Sequence, residues 1–162
     1  MTAQTVYSKN QSNALPGLIY DMGNTDIDSY AAEGAVAFGV FVARGTDPAN
    51  QVEVTGAAGS FGVATRTVKE GDYPDAAFDG GAYADEETVG VMRSGYVWAQ
   101  FDAAGGTIGA AVTINADGTV DVAGGATAVT GVSATIERPA VDLTVGGDGV
   151  TGVFVGLVKL GA

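Results

Sequence analysis

The chain contains neither cysteine nor histidine, so the residue types that most often carry chemistry in small proteins are missing. Thiol nucleophiles, imidazole bases, disulfide bonds and the commonest ligands of transition metals are therefore excluded. Serine–lysine catalysis would need Lys9, Lys69 or Lys159, and none of these lies in a recognisable motif. Two carboxylates could hydrolyse a glycoside if they lay about 5 to 10 Å apart, but a sequence does not show such a pair. We predict no catalytic residue, no cofactor and no enzymatic activity.

Two patterns suggest ligand binding. Residues 147–152, GDGVTG, have the glycine spacing of a dinucleotide-binding loop. That loop follows a strand and begins a helix, whereas this one precedes a strand-like segment, and Asp148 would repel phosphate. Two alternative groups of acidic residues could offer oxygen ligands to Ca²⁺, although neither has the spacing of an EF-hand loop. One group is Asp26 with Asp28, and the other is Asp79 with Asp85, Glu86 and Glu87. A turn and a solvated acidic loop are the simpler interpretations, and we predict no metal site.

The charge balance narrows the class of partner. The 162 residues include 7 Lys and Arg against 19 Asp and Glu, which gives a net charge of −12. Such a charge opposes approach to a phosphate backbone, so we predict no nucleic-acid partner. No apolar stretch approaches the roughly 20 residues of a membrane span, and the start of the chain lacks the apolar run of a signal peptide. We expect a protein made in the cytoplasm that does not contact membranes.

Glycine content and periodicity predict an all-β fold. The 26 glycines favour turns and short strands over helices. Val36, Phe38, Val40 and Val42 alternate with smaller residues, which indicates a strand with one buried face. About nine or ten short strands follow from such patterns, and we predict a single β-barrel or jelly-roll-like sandwich of antiparallel strands.

Three later segments give sharper predictions. Setting Ile114 opposite Val120 leaves residues 116–118 as a hairpin loop, with Gly118 at the position that favours a left-handed residue. Residues 88–92 and 96–101 are predicted to form a second hairpin about residues 93–95, with Tyr96 and Trp98 on one face. Residues 150–160 are apolar on both faces and predict a strand that is buried centrally or at an interface. Residues 69–87 are predicted to be a surface loop.

The first 33 residues show neither strand alternation nor a helical stripe, so we divide the chain into an extended N-terminal arm, 1–33, and a β-domain, 34–162. The arm carries isolated apolar residues, which are the candidate partner-binding residues: Val6, Tyr7, Leu15, Leu18, Ile19, Tyr20 and Met22. They would dock either on the chain's own β-domain or on a neighbouring molecule. Both interpretations fit the sequence.

Three passages together resemble the structural cement, or head decoration, proteins of tailed bacteriophages. They are LPGLIYD at residues 15–21, EGAVAFGVFVARGT at residues 33–46 and GVMRSGYVWA at residues 90–99, with FGVA at residues 61–64 between the second and the third. The resemblance covers about residues 13 to 100 and consists mostly of structural glycines and strand residues.

This resemblance implies a β-barrel or jelly-roll-like module on the outer surface of the virion. Such a module would bind the major capsid protein and clamp neighbouring capsid subunits as a homo-oligomer, either a dimer or a trimer. It carries over no catalytic residue. An alternative from another class is a carbohydrate- or calcium-binding β-sandwich module of a fibre or adhesin.

Overall fold

The computed structural model describes residues 15–54, 59–67, 81–124, 127–129, 131–142 and 152–161. Within these ranges the chain is all-β, and no helix there is long and apolar enough to cross a membrane. The strands are β1 (Ile19–Ala32), β2 (Val36–Ala37), β3 (Phe41–Arg44), β4 (Gln51–Glu53), β5 (Gly62–Ala64), β6 (Ala82–Tyr83), β7 (Thr88–Phe101), β8 (Thr113–Ile114), β9 (Thr127–Ala128), β10 (Ala134–Asp142) and β11 (Phe154–Leu160).

Seven strands form one mixed sheet in the order β1-β4-β3-β5-β7-β11-β10. Strands β2 and β6 form a separate pair, as do β8 and β9. β1 runs parallel to β4 and also pairs with β7 in the antiparallel direction, so part of the sheet folds back on itself. The sheet does not close into a barrel, and the architecture is sandwich-like. The all-β prediction is confirmed, in its sandwich form.

The predicted alternation in residues 36–42 is confirmed, although the segment is not one continuous strand. Val36, Phe38, Val40 and Val42 are all buried in one apolar cluster, while Phe41 points into a second cluster on the other side of the sheet. The chain bends between β2 and β3 at Gly39, where φ is +79°. Glycine adopts this conformation without the steric penalty that a side chain would add.

Strand β7 contradicts the hairpin that was predicted about residues 93–95. Residues 88–101 form a single strand, and the ladder continues through the expected turn, with Ser94 opposite Asp26 and Gly95 opposite Leu160. Turn-forming residues have only a weak local preference, and pairing with β1 on one side and β11 on the other outweighs it. Tyr96 and Trp98 do share a face, as the alternation predicted.

The hairpin loop at residues 116–118 is confirmed. Ile114 lies opposite Val120, the amide of Asn115 donates to the carbonyl oxygen of Thr119 at 2.9 Å, and Gly118 has a φ of +77°. Here the residues of the loop and the two apolar side chains that flank it favour the same register. The local residues specify this loop even though its backbone also hydrogen bonds to the distant strands β3 and β7.

Strand β11 confirms the prediction of a centrally buried, two-sided apolar strand. It lies between β7 and β10. Val155 and Leu157 pack in one cluster on one face, and Val158 and Leu160 join the large core on the other. Of the predicted surface loop at 69–87, residues 69–80 lie outside the described residues, and 81–87 contain β6 and a turn.

The sequence showed no sign of strand β1 within the predicted arm. Residues 19–32 pair with β7 along most of their length, and Ala32 is fully buried. The pairing is interrupted by bulges, because Asp21 lies opposite Tyr96 while Asp26 lies opposite Ser94. Bulges shift the alternation of side chains, which explains why no period of two was visible in this segment.

A tight turn at Leu15-Pro16-Gly17-Leu18 leads into β1. The amide of Leu18 donates to the carbonyl oxygen of Leu15 at 3.0 Å, and Gly17 has a φ of +75°, as a type II turn with proline at its second position requires. The amide of Gly17 donates to the Trp98 carbonyl oxygen at 2.7 Å, and the Gly17 carbonyl oxygen accepts from the Arg66 amide at 2.8 Å. Both backbone polar groups of Gly17 thus attach the turn to other segments of the chain.

Alanine at Gly17 should destabilise the fold more than alanine at Gly34. Both glycines have positive φ, but a Cβ at Gly17 would lie 2.6 Å from the Arg66 amide nitrogen, whereas a Cβ at Gly34 would meet nothing within 4 Å. Gly34→Ala should therefore cost about 1 to 2 kcal/mol through backbone strain alone. Gly17→Ala should cost at least about 1 kcal/mol more, because the anchored turn must shift. Urea unfolding measures both, and equal losses would contradict the packing argument.

Glu33 closes the turn between β3 and β4. Its carboxylate accepts hydrogen bonds from the Thr46 amide at 2.5 Å and from the Thr46 hydroxyl at 2.6 Å. The hydroxyl of Thr46 and then its amide hold the pKa of the Glu33 carboxyl below its usual value. Hydrogen bonds to the charged form have this effect because they stabilise the carboxylate relative to the neutral acid.

Glu33→Gln should lower stability at neutral pH and have a smaller effect in acid. A lowered folded-state pKa contributes stability above the unfolded-state pKa, and this contribution is lost as pH falls through the folded-state value. The difference between wild type and variant should therefore narrow from about pH 5 to about pH 3 in urea unfolding. On a Thr46→Val background the difference at neutral pH should be smaller. A gap that does not change with pH would refute the role of the hydrogen-bonded carboxylate.

Candidate aromatic docking site

The exposed apolar side chains of the described residues are concentrated on the start of β1. Leu18, Tyr20 and Met22 expose 41%, 50% and 75% of their surface. Ile19, between the first two, is partly buried and packs against the large core. Ile19 thus points toward the chain's own core, whereas the neighbouring Tyr20 points toward solvent.

The outer faces of β7 and β11 form a floor beneath Tyr20. Trp98 lies opposite Leu157, and in an antiparallel pair two opposite residues share a face of the sheet. Trp98, Val155 and Leu157 make a small buried cluster, with Trp98 only 8% exposed, and Tyr96 packs against it. The centroid of the Tyr20 ring lies 6.4 Å from that of Tyr96 and 6.1 Å from that of Trp98, edge to face in both cases.

Arg138 reaches the Tyr20 ring from strand β10, which lies beyond β11. It lies opposite Leu157 of β11, and the register of the β10–β11 pair shifts on either side of Arg138. Its guanidinium carbon is 5.0 Å from the centre of the Tyr20 ring and 5.9 Å from that of Trp98. Its Nη2 donates a hydrogen bond to the Tyr20 hydroxyl at 2.9 Å. We call Tyr20, Tyr96, Trp98 and Arg138 the aromatic platform.

Bulges on two separate strands bring Tyr20 and Arg138 together. In β1 two residues advance from Ile19 to Asp21 while β7 advances by one, and in β10 a bulge precedes Arg138. A bulge turns a side chain away from its regular direction. Gly156 on β11 allows the close approach of β10, because a Cβ there would lie 2.9 Å from the Arg138 carbonyl oxygen.

Arginine side chains in this acidic chain lie over aromatic rings. The distances from guanidinium carbon to ring centre are 4.3 Å for Arg44 and Phe61, 5.0 Å for Arg66 and Phe38, 5.9 Å for Arg93 and Phe61, and 5.0 Å for Arg138 and Tyr20. Such contacts are electrostatically favourable and also cover apolar surface with the arginine stem.

The structure describes five of the seven candidate partner-binding residues. Leu18, Tyr20 and Met22 are exposed, Leu15 and Ile19 are partly buried, and Val6 and Tyr7 lie outside the described residues. Their role in binding stays a prediction. Sequence reasoning did not select Tyr96, Trp98 and Arg138; the alternation of the first two was visible, but aromatic residues on a strand usually belong to a core. The only local signal for Arg138 is Pro139, which is typical of an edge or bulge.

The other sequence patterns do not converge on a site. In the part of the chain that the structure describes, no group of three or more acidic residues is arranged to hold a metal ion. Asp26 lies on β1, whereas Asp85 and Glu86 lie in the turn before β7; Asp79 is outside the described residues. The GDGVTG motif also lies outside them, except for its last glycine.

Comparison with known proteins decides the family. The sequence matches the family described as structural cement protein (E217 gp24/Pam3 gp6) over residues 3–158. The chain belongs to this family. It has a structural role in the capsid of a phage, and its location is the virion. The resemblance stated from residues 15–99 is thereby confirmed and extends over nearly the whole chain.

Solved structures confirm the fold of this cement protein. A chain of the solved capsid of Myoviridae phage XM1 is similar, with a TM-score of 0.66 and 17% sequence identity, over 99% of this chain and 98% of that one. At this level of identity the likeness concerns the fold alone. The search of curated proteins found no match.

Removing the Tyr20 side chain should expose the single tryptophan of the cement protein. Trp98 is nearly buried beneath Tyr20 and Arg138, so Tyr20→Ala should shift its fluorescence emission to longer wavelength and increase quenching by acrylamide. Tyr30→Ala is the matched control, because the Tyr30 ring contacts Phe61 instead. Identical emission from wild type and Tyr20→Ala would show that Tyr20 does not cover Trp98 in solution.

Proposed function

We propose that this chain binds the outer surface of a phage head and clamps neighbouring major capsid subunits. The observation that carries the proposal is the exposure of Leu18, Tyr20 and Met22 around the start of β1, with Tyr20 part of the aromatic platform, in a chain of the cement family. Tyrosine, tryptophan and arginine are the residues most enriched where binding energy concentrates in protein interfaces. Exposed apolar side chains next to them are typical of a surface that another protein covers.

Clamping follows from the repetition of contacts on a shell. A dimer or trimer of this chain would engage two or three capsid subunits at once, and each further contact forms at a high effective concentration. Modest single contacts then give firm attachment. The net charge of −12 fits a place outside the shell, away from the packaged genome. The proposal includes synthesis in the host cytoplasm before attachment.

The platform favours a protein partner over the alternative of a sugar. Stacking on a carbohydrate needs an open aromatic face, but Trp98 is 8% exposed and is covered by Tyr20 and Arg138. The mixture of aliphatic Leu18 and Met22 with a tyrosine is typical of protein interfaces. A calcium-binding alternative gains no support from the acidic residues that the structure describes.

Deletion of the predicted arm is a poor test of this function. Residues 1–33 include β1, which pairs with both β4 and β7 and buries Ala32, so the deletion would remove part of the sheet. Substitution of the exposed side chains leaves β1 in place. Deletion of the arm should therefore impair folding, whereas substitutions of exposed side chains should leave the pairing of β1 intact.

The combined substitution of Leu18, Tyr20 and Met22 by serine should abolish binding to purified heads that lack the cement protein. Loss of three apolar contacts in every subunit should weaken binding by at least about 100-fold, since losses multiply in a multivalent complex. Ile108→Ser, at a side chain that is 65% exposed in another segment, is the control and should bind like wild type. Co-sedimentation with heads measures occupancy, and full occupancy by the triple variant would defeat the proposed contact.

A further inference from the structure

Contacts within the fold hold the charged side chain of Arg138 on the aromatic platform. Its guanidinium is held by the Tyr20 hydroxyl at 2.9 Å and by two ring contacts, and the residue is exposed. No carboxylate of the described residues lies within 4.0 Å of its nitrogen atoms, in contrast with Arg93, which pairs with Asp28 at 3.3 Å. Guanidinium carries five donors, so one hydrogen bond leaves most of them open to a partner.

A second cation lies on the same face. Lys159 is opposite Tyr96 in the β7–β11 ladder, so its side chain shares the face of Tyr96 and Trp98, and the described residues offer it no ion pair. Two acidic groups on the neighbouring strands accept local hydrogen bonds: Asp21 accepts from the Gly23 amide at 2.9 Å, and Glu137 accepts from the Thr135 hydroxyl at 3.5 Å. In a chain of net charge −12, two cations without a described carboxylate partner thus lie together.

We infer that the aromatic platform binds a carboxylate of the capsid surface, an aspartate or glutamate side chain flanked by apolar residues. The inference rests on the proposed function and names the chemistry of its partner. A guanidinium matches a carboxylate through two parallel hydrogen bonds, and such bonds are about twice as strong as neutral ones. Arg138 is already fixed by Tyr20, so little side-chain freedom remains to be lost on binding.

The surroundings of Arg138 suit such a contact. Val141 is an exposed apolar side chain on the same face, because it lies opposite Val155, and Tyr20, which contacts Arg138, stands between the exposed residues Leu18 and Met22 in the chain. Apolar neighbours exclude water from an ion pair, which strengthens the attraction between its charges. The carboxylate would thus be bound at Arg138, with the apolar residues of the partner packed on the side chains around it.

Charge reversal at Arg138 tests the inference on purified heads that lack the cement protein. Arg138→Glu should bind at least about 30-fold more weakly than wild type, as expected for loss of a central arginine contact. The affinity of Arg138→Ala for heads should lie between those of wild type and Arg138→Glu, because alanine removes the attraction to the carboxylate without adding repulsion. Arg44→Glu is the matched control: Arg44 is also exposed and stacked on rings, Tyr30 and Phe61, but lies off the platform. It should bind within about 3-fold of wild type.

The outcomes separate the inference from the proposed function. If wild type binds heads and Arg138→Glu binds no more weakly than Arg138→Ala, the inference of a carboxylate partner is wrong while the proposed function stands. If wild type does not bind heads at all, the proposed function fails. If Arg138→Glu changes self-association in sedimentation without heads, the platform joins copies of this chain, which also overturns the inference. Trp98 fluorescence and urea unfolding of each variant verify that the sheet is intact.

Discussion

Pairing of strand β7 along both of its edges is the interaction on which the rest of the structure depends. β7 hydrogen bonds with β1, β5 and β11, and its side chains enter both large apolar clusters. Its Trp98 carbonyl oxygen also anchors the turn that leads into β1. Because one strand organises two cores and the N-terminal turn, its pairing continues through residues 93–95, where local preferences favour a turn and Gly95 has a φ of +113°.

The platform is a consequence of the same pairing. β7 and β11 pair without a register shift from Gly95 to Phe101 and place Trp98 and Leu157 side by side, while the pairings of β1 with β7 and of β10 with β11 contain shifts. The regular β7–β11 pairing forms the surface beneath Tyr20, and the bulges in β1 and β10 direct side chains over this surface. Tyr20 and Arg138 therefore meet above Trp98. This arrangement orders Arg138 although no carboxylate among the described residues pairs with it, which leaves most of its hydrogen-bond donors for a partner.

In a chain with 19 acidic and 7 basic residues, four arginines stack on aromatic rings. Stacking of arginines on rings costs little desolvation, in contrast with burial of ion pairs. It also keeps the charge of Arg44 and Arg138 at the surface. We regard this as the physical link between the acidic composition, which favours solubility, and a role that requires firm attachment to other proteins.

The sequence by itself determined the all-β class, the alternation from Val36 to Val42, the hairpin at Gly118 and the two-sided burial of β11, because each depends on the period of side chains or on a single turn. It also carried enough structural glycines to reveal the family. Only the tertiary structure decided that β1 is a strand, that β7 is continuous and that Arg138 meets Tyr20. These features depend on pairing between residues far apart in the chain and on bulges that erase the period, and neither leaves a local signal.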